Sequence, residues 1–122
     1  MPVSRDFLDH LVELLEPVGA VEPRRMFGGA GLFHTNLMFA LVVNDVVYLK
    51  VDDENRSDFE ARGREPFSYG TKKGERSIPG LYEIPEELLD DGEAFCDWAR
   101  RSIEAAWRAD AKKPPSKRKK RS

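Results

Sequence analysis

The sequence is poor in the residues from which most catalytic and metal centres are built, with two histidines and one cysteine among 122 residues. His10 and His34 belong to no recognisable ligand set, so no metal is expected. Cys96 has no partner for an intramolecular disulfide, which fits a reducing cytoplasm. It follows Phe95 on an apolar helix stripe and reads as a packed thiol, not a nucleophile. No paired carboxylates stand at a catalytic spacing. Asp52-Asp53-Glu54 and Asp90-Asp91 read as helix caps or loop features. No apolar run approaches the roughly 18–20 residues that span a bilayer. The opening MPVSRDFLDH also lacks the basic-then-apolar order of a secretion signal. These absences point away from an enzyme, a cofactor or a membrane protein and towards a cytoplasmic one.

What is present is polar and unevenly charged. Apolar residues make up 40% and charged residues 34%, which suits one compact domain with a real core. The net charge of −2 hides two opposed regions. Residues 112–122, KKPPSKRKKRS, hold seven of the twenty Lys and Arg and no acid, which leaves positions 1–111 near −9. An acidic body does not attract nucleic acid over its surface. The tail can: Lys112, Lys113, Lys117, Arg118, Lys119, Lys120 and Arg121 offer weak, sequence-independent binding to a phosphate backbone. No aromatic interleaves them for stacking on single strands. A merely solubilising terminus is the competing reading. Either way this composition supports no core, and 112–122 is expected to be disordered beyond a domain at 1–111.

The chain is organised around Arg24 to Val51, RRMFGGAGLFHTNLMFALVVNDVVYLKV, which reads as three adjacent strands. Ahead of it, Ser4 caps a helix whose apolar stripe runs from Phe7 to Leu15, ended by Pro17 and Gly19. Leu37–Val43 is almost wholly apolar and reads as a central strand. Asn44-Asp45 tolerates the positive φ of a two-residue hairpin leading into Val46–Val51. A second helix is expected over Glu54–Arg62, capped by Asp52 or Asp53, with Phe59 its anchor. Pro66–Tyr69 is a short strand, TKKGERS a polar connection, and Ile78–Ile84 a strand interrupted by Pro79-Gly80. Pro85 opens the last helix, with a kink or break at Gly92. Trp98 and Trp107 on its stripe read as core, whereas an exposed Trp107 would mark a partner or dimer contact.

Gly28, Gly29 and Gly31 fill three of four positions. They could cradle a phosphate, but such loops lead from a strand into a helix, and here Leu32-Phe33 continues as strand. A bulge or sharp bend between two half-strands fits better. Around it Arg24, Arg25, Lys50 and Tyr69 could gather to hold an anion or an acidic partner, or stand apart as solvated sheet-edge residues.

RRMFGGAGLF, then LMFALVVNDVVYLKVDDENRSDFEARG, EPFSYG and YEIPEELLDD, together resemble the TfoX N-terminal domain family over about residues 5–108. The resemblance implies an α+β fold in two layers, an antiparallel sheet covered by helices in the order α-β-β-β-α-β-β-α. TfoX/Sxy proteins are bacterial regulators of natural competence that act with the cyclic-AMP receptor protein at a subset of its promoters, and they are not enzymes. The family's glycines match Gly28, Gly29 and Gly31 but bring no assigned catalytic role. Such regulators carry a second, C-terminal domain where this chain ends in a basic tail. The expectation is therefore a non-enzymatic domain that works by protein contact in transcription regulation, its partner being transcription machinery or a cyclic-AMP receptor-type regulator. A homodimer through a strand edge or Trp107 is compatible with it. The alternative is a small-ligand or anion-binding module centred on the glycine bend.

Overall fold

The computed structural model describes residues 3–26, 28–71 and 73–113. Helix α1, Arg5–Leu14, leads through a 3₁₀ turn at Glu16–Val18 to four strands: β1 Glu22–Met26, β2 Gly29–His34, β3 Leu37–Val43 and β4 Val46–Lys50. Helix α2, Arg56–Glu60, then precedes β5 Pro66–Thr71 and β6 Gly74–Glu83. A 3₁₀ segment, Glu86–Asp90, runs into the long α3, Gly92–Ala111. All six strands form one antiparallel sheet in the order β1-β2-β3-β4-β6-β5. The fold is α+β.

Local chemistry explains most of these boundaries. Ser4 Oγ accepts from Phe7 N–H at 3.1 Å, so the first helix has the N-cap its sequence suggests. Thr35-Asn36 and Asn44-Asp45 all take positive φ, between 50° and 66°, which gives two tight hairpins whose twist matches that of the strands. Leu37–Val43 is the central strand, flanked by β2 and β4. Between Leu32 and Phe33 the register slips, leaving Phe39 as an extra residue. This bulge turns both Phe39 and Ala40 inward, and both are fully buried.

Helix α3 covers the sheet chiefly over β3 and β4. Phe95, Ala99, Ile103 and Ala106 form its inner stripe, and the small alanines let the helix axis approach the strands closely. Leu8, Leu11 and Leu15 close the same core from the α1 side, and Phe59 plugs it from α2. Phe59 meets Trp98 edge-on at 4.8 Å.

Five expectations need correction. The glycine segment does not join two halves of one strand. It reverses the chain, so β1 and β2 pair as a hairpin with Met26 opposite Gly29, and four strands precede α2. Gly28, at φ 78°, supplies a backbone conformation in that reversal that a side chain would resist. TKKGERS is not a loose connection. Thr71 ends β5, Gly74–Ser77 begins β6, and the ladder forms through backbone groups whatever the side-chain polarity. Helix α2 is shorter than Glu54–Arg62, and its N-cap is Asn55, not Asp52 or Asp53. Pro85 opens the 3₁₀ segment, whereas α3 starts afresh where Asp91 Oδ1 accepts from Ala94 N–H at 3.1 Å. Trp107 is 36% exposed and outside the core.

Candidate functional site

The helices pack on one side of the sheet, and the strand pairings fix which residues face the other. One cross-sheet row runs Pro23, Leu32, Ala40, Leu49, Tyr82, and from Leu32 to Tyr82 it is buried in the core under the helices. Its neighbour runs Arg24, Gly31, Leu41, Tyr48, Glu83 and points away from them. With period-two alternation, Met26, Phe33, Met38 and Val43 join that outer face.

The outer face is apolar and concave. Met26, Leu41, Val43, Phe67, Tyr69 and Ile78 line a cavity of about 480 Å³. These residues come from both ends of the strand order, so the β5–β6 hairpin curls back over the sheet towards β1. A second irregularity makes the curl possible: the pairing jumps from Pro66 opposite Tyr82 to Phe67 opposite Ile78, leaving Pro79, Gly80 and Leu81 of β6 without partners on β5. An aromatic chain braces it, with Tyr48 edge-on to Phe67 at 4.8 Å and Phe67 stacked on Tyr69 at 6.0 Å. Burial, and then the charge of Glu83, hold the Tyr48 phenol above its usual range, so it stays protonated at neutral pH.

Gly31 sits beneath Met26, Phe33 and Met38, whose ends would meet a Cβ placed there at 2.9 to 3.1 Å. At Gly29 a Cβ would run into the Val42 carbonyl oxygen of the neighbouring strand. These two glycines therefore serve close packing across the sheet. Neither adjoins a helix N-terminus, where a phosphate would find a row of free N–H groups.

The cations named from the sequence are not brought together. Arg24 is on the outer face, where its guanidinium lies 4.2 Å from the Phe33 ring centre, pairs with Glu22 and donates to Asn36 Oδ1 at 3.1 Å. Arg25 faces the helix side, where its Nη1 donates to the Val3 carbonyl at 3.0 Å. Lys50 stands at the end of β4 beside Asp110 and Lys113, near the C-terminus of α3. Burial, then the Lys113 charge, pull its pKa down, partly opposed by Asp52. Tyr69 is on the edge strand, 44% exposed. Lys112 and Lys113 follow α3, while Lys117, Arg118, Lys119, Lys120 and Arg121 lie outside the described residues.

Among the described residues no group of three His, Cys, Asp or Glu side chains could hold a metal. Cys96 is buried, its thiol donates to the Leu14 carbonyl, and burial raises its pKa, which makes a thiolate nucleophile unfavourable. No described helix is long and apolar enough to cross a membrane. Composition misses the outer cavity because its residues are scattered over four strands. The one sequence signal for it is the run of apolar residues at both alternating phases of Leu37–Val43, which calls for cover on two faces.

Residues 13–106 match the family model described as the TfoX N-terminal domain. Over 83 residues the chain is 35% identical to the DNA transformation protein TfoX1 of Aliivibrio fischeri. That match takes in 65% of this chain and 39% of the relative, so the chain spans well under half of that protein's length.

Proposed function

The chain belongs to the TfoX N-terminal domain family, and we propose that it is a non-enzymatic regulatory domain linked to DNA transformation, the process named for its relative. In this reading it works in the cytoplasm by contact with a protein of the transcription machinery or a cyclic-AMP receptor-type regulator. The observation that carries it is the concave apolar face of the sheet that the helices leave uncovered. A soluble domain that leaves Met26, Val43, Phe67, Tyr69 and Ile78 accessible on one concave face has a surface suited to recognition. The basic tail adds weak, salt-sensitive attraction to nucleic acid and so brings the domain near DNA without choosing a sequence.

The test is genetic. Deleting the gene in its natural host should lower transformation frequency and the transcripts of DNA-uptake genes. Restoring the gene with Tyr69→Ala, which removes an exposed ring, should recover only part of both. Unchanged transformation and unchanged transcripts in the deletion strain would overturn the regulatory role.

A further inference from the structure

We infer that the cavity under the β5–β6 hairpin is a binding site for a small amphipathic anion, a molecule with an apolar chain or ring and one carboxylate. The inference goes beyond the regulatory role and does not depend on any protein partner.

Two observations converge on this ligand class. The first is the cavity itself, whose volume of about 480 Å³ falls within the roughly 300–1,000 Å³ of sites that enclose small molecules. Its floor is Leu41 and Val43 from the central strand, its far wall is Met26, and its roof is Phe67 and Ile78 from the curled hairpin. None of these side chains can hydrogen-bond strongly, so the enclosed part of a ligand must be apolar. Met26 adds an adaptable wall, which suits a range of chain shapes.

The second observation is the polarity of the mouth. Tyr69 lines the cavity and is 44% exposed, which puts it at the boundary with water. Arg76 is its direct cross-strand partner and stands two residues before Ile78 on β6, hence on the same face. Arg76 has no ion pair within the described residues, and it is exposed. Arg24, the other arginine on this face, is already engaged by Glu22, Asn36 and the Phe33 ring. An uncommitted guanidinium beside a phenol at the rim of an apolar cavity is complementary to a carboxylate whose tail points inward. A neutral apolar molecule would leave that cation unused. A polyanion would meet an acidic body around it.

The test uses the purified full-length chain with decanoate as probe, read by calorimetry and by thermal shift. Decanol shares the chain without the charge, and acetate shares the charge without the chain. Decanoate should bind one-to-one and raise Tm, decanol should bind at least about fivefold more weakly, and acetate should not bind. Arg76→Gln should erase the preference for decanoate over decanol while leaving the unliganded Tm unchanged. Ile78→Trp, which fills the cavity, should abolish binding of both. Methyl resonances of Leu41, Val43 and Ile78 should shift with decanoate and those of Leu11 should not. No decanoate binding, binding of several molecules per chain, or a decanoate preference unaffected by Arg76→Gln would each overturn the inference. These readouts involve no host phenotype, so they can fail while the regulatory role stands, and the reverse.

Discussion

Arg108, near the end of α3, grips Asp52, just beyond β4, with two parallel hydrogen bonds: Nε to Oδ2 at 2.7 Å and Nη2 to Oδ1 at 3.0 Å. The two residues are 56 positions apart, and the fork ties the last helix to the strand it covers. Asp52 also accepts from the Glu54 N–H, and the Glu54 carboxylate approaches the same guanidinium at 3.0 Å, so Arg108 meets two acids. The Arg108 hydrogen bond is the largest influence on Asp52 and keeps its carboxyl below the ordinary 3.8.

Arg108→Ala should therefore destabilise the fold by about 1–2 kcal/mol, more than a typical exposed ion pair, because the contact is bidentate and partly shielded. Arg108→Lys should restore less than half of the loss, since an ammonium cannot match both oxygens. The folded-state pKa is depressed, so the contribution is fully present above the ordinary carboxylate value and fades as pH falls through the lower, folded one. Urea melts of the wild type and Arg108→Ala at pH 7 and in acid should show the gap close in acid. A gap independent of pH would exclude the Asp52 carboxylate as its source.

Gly29 and Gly31 are two residues apart and should respond differently to alanine. At Gly29 the new methyl would collide with the Val42 backbone oxygen, which can yield only if the strand moves. A cost of about 2–4 kcal/mol is expected. At Gly31 the nearest atoms are Met38 Sδ, Phe33 Cε1 and Met26 Cε, the ends of side chains that can turn aside. There the cost should be about 1 kcal/mol. Thermal melts of both variants check the ranking, and equal losses would contradict it.

Asp91 separates the 3₁₀ segment from α3 and caps the latter through Ala94 N–H. Asp91→Ala should lower stability by about 1 kcal/mol, while Asp91→Asn or Asp91→Ser should keep most of it. Asp90→Ala, with no capping bond to lose at that helix start, should change little by the same chemical-denaturation assay.

Removing residues 112–122 deletes seven cations and leaves an acidic body. The truncated chain should lose binding to duplex DNA, and the full chain's binding should fall steeply between low and physiological salt. The α3 contacts to the core end before the cut, so Tm should barely move. Gel-shift and melting measurements across a salt series decide it. DNA binding that survives truncation would place a basic patch on the body itself.

Local chemistry alone determined a good deal of this protein. The Ser4 cap, the Asn44-Asp45 hairpin and the apolar run Leu37–Val43 are all legible because each depends on residues within a few positions of one another, whereas the α+β class was implied by the family resemblance. Hydrophobic periodicity likewise gave the inner stripe of α3. The tertiary structure alone decided the rest. Asp52 resembles a helix cap in sequence, yet its strongest partner, Arg108, arrives from 56 residues away. The polar stretch TKKGERS shows no strand pattern, because backbone pairing between β5 and β6 needs no apolar side chain. Arg24 and Arg25 are neighbours in the chain and point to opposite faces of the sheet, one towards Phe33 and the other towards Val3. The concave outer face exists only once β5 and β6 have curled over β3. Its walls are contributed by positions 26 to 78, and no local pattern encodes a surface whose parts meet only through the order of the strands.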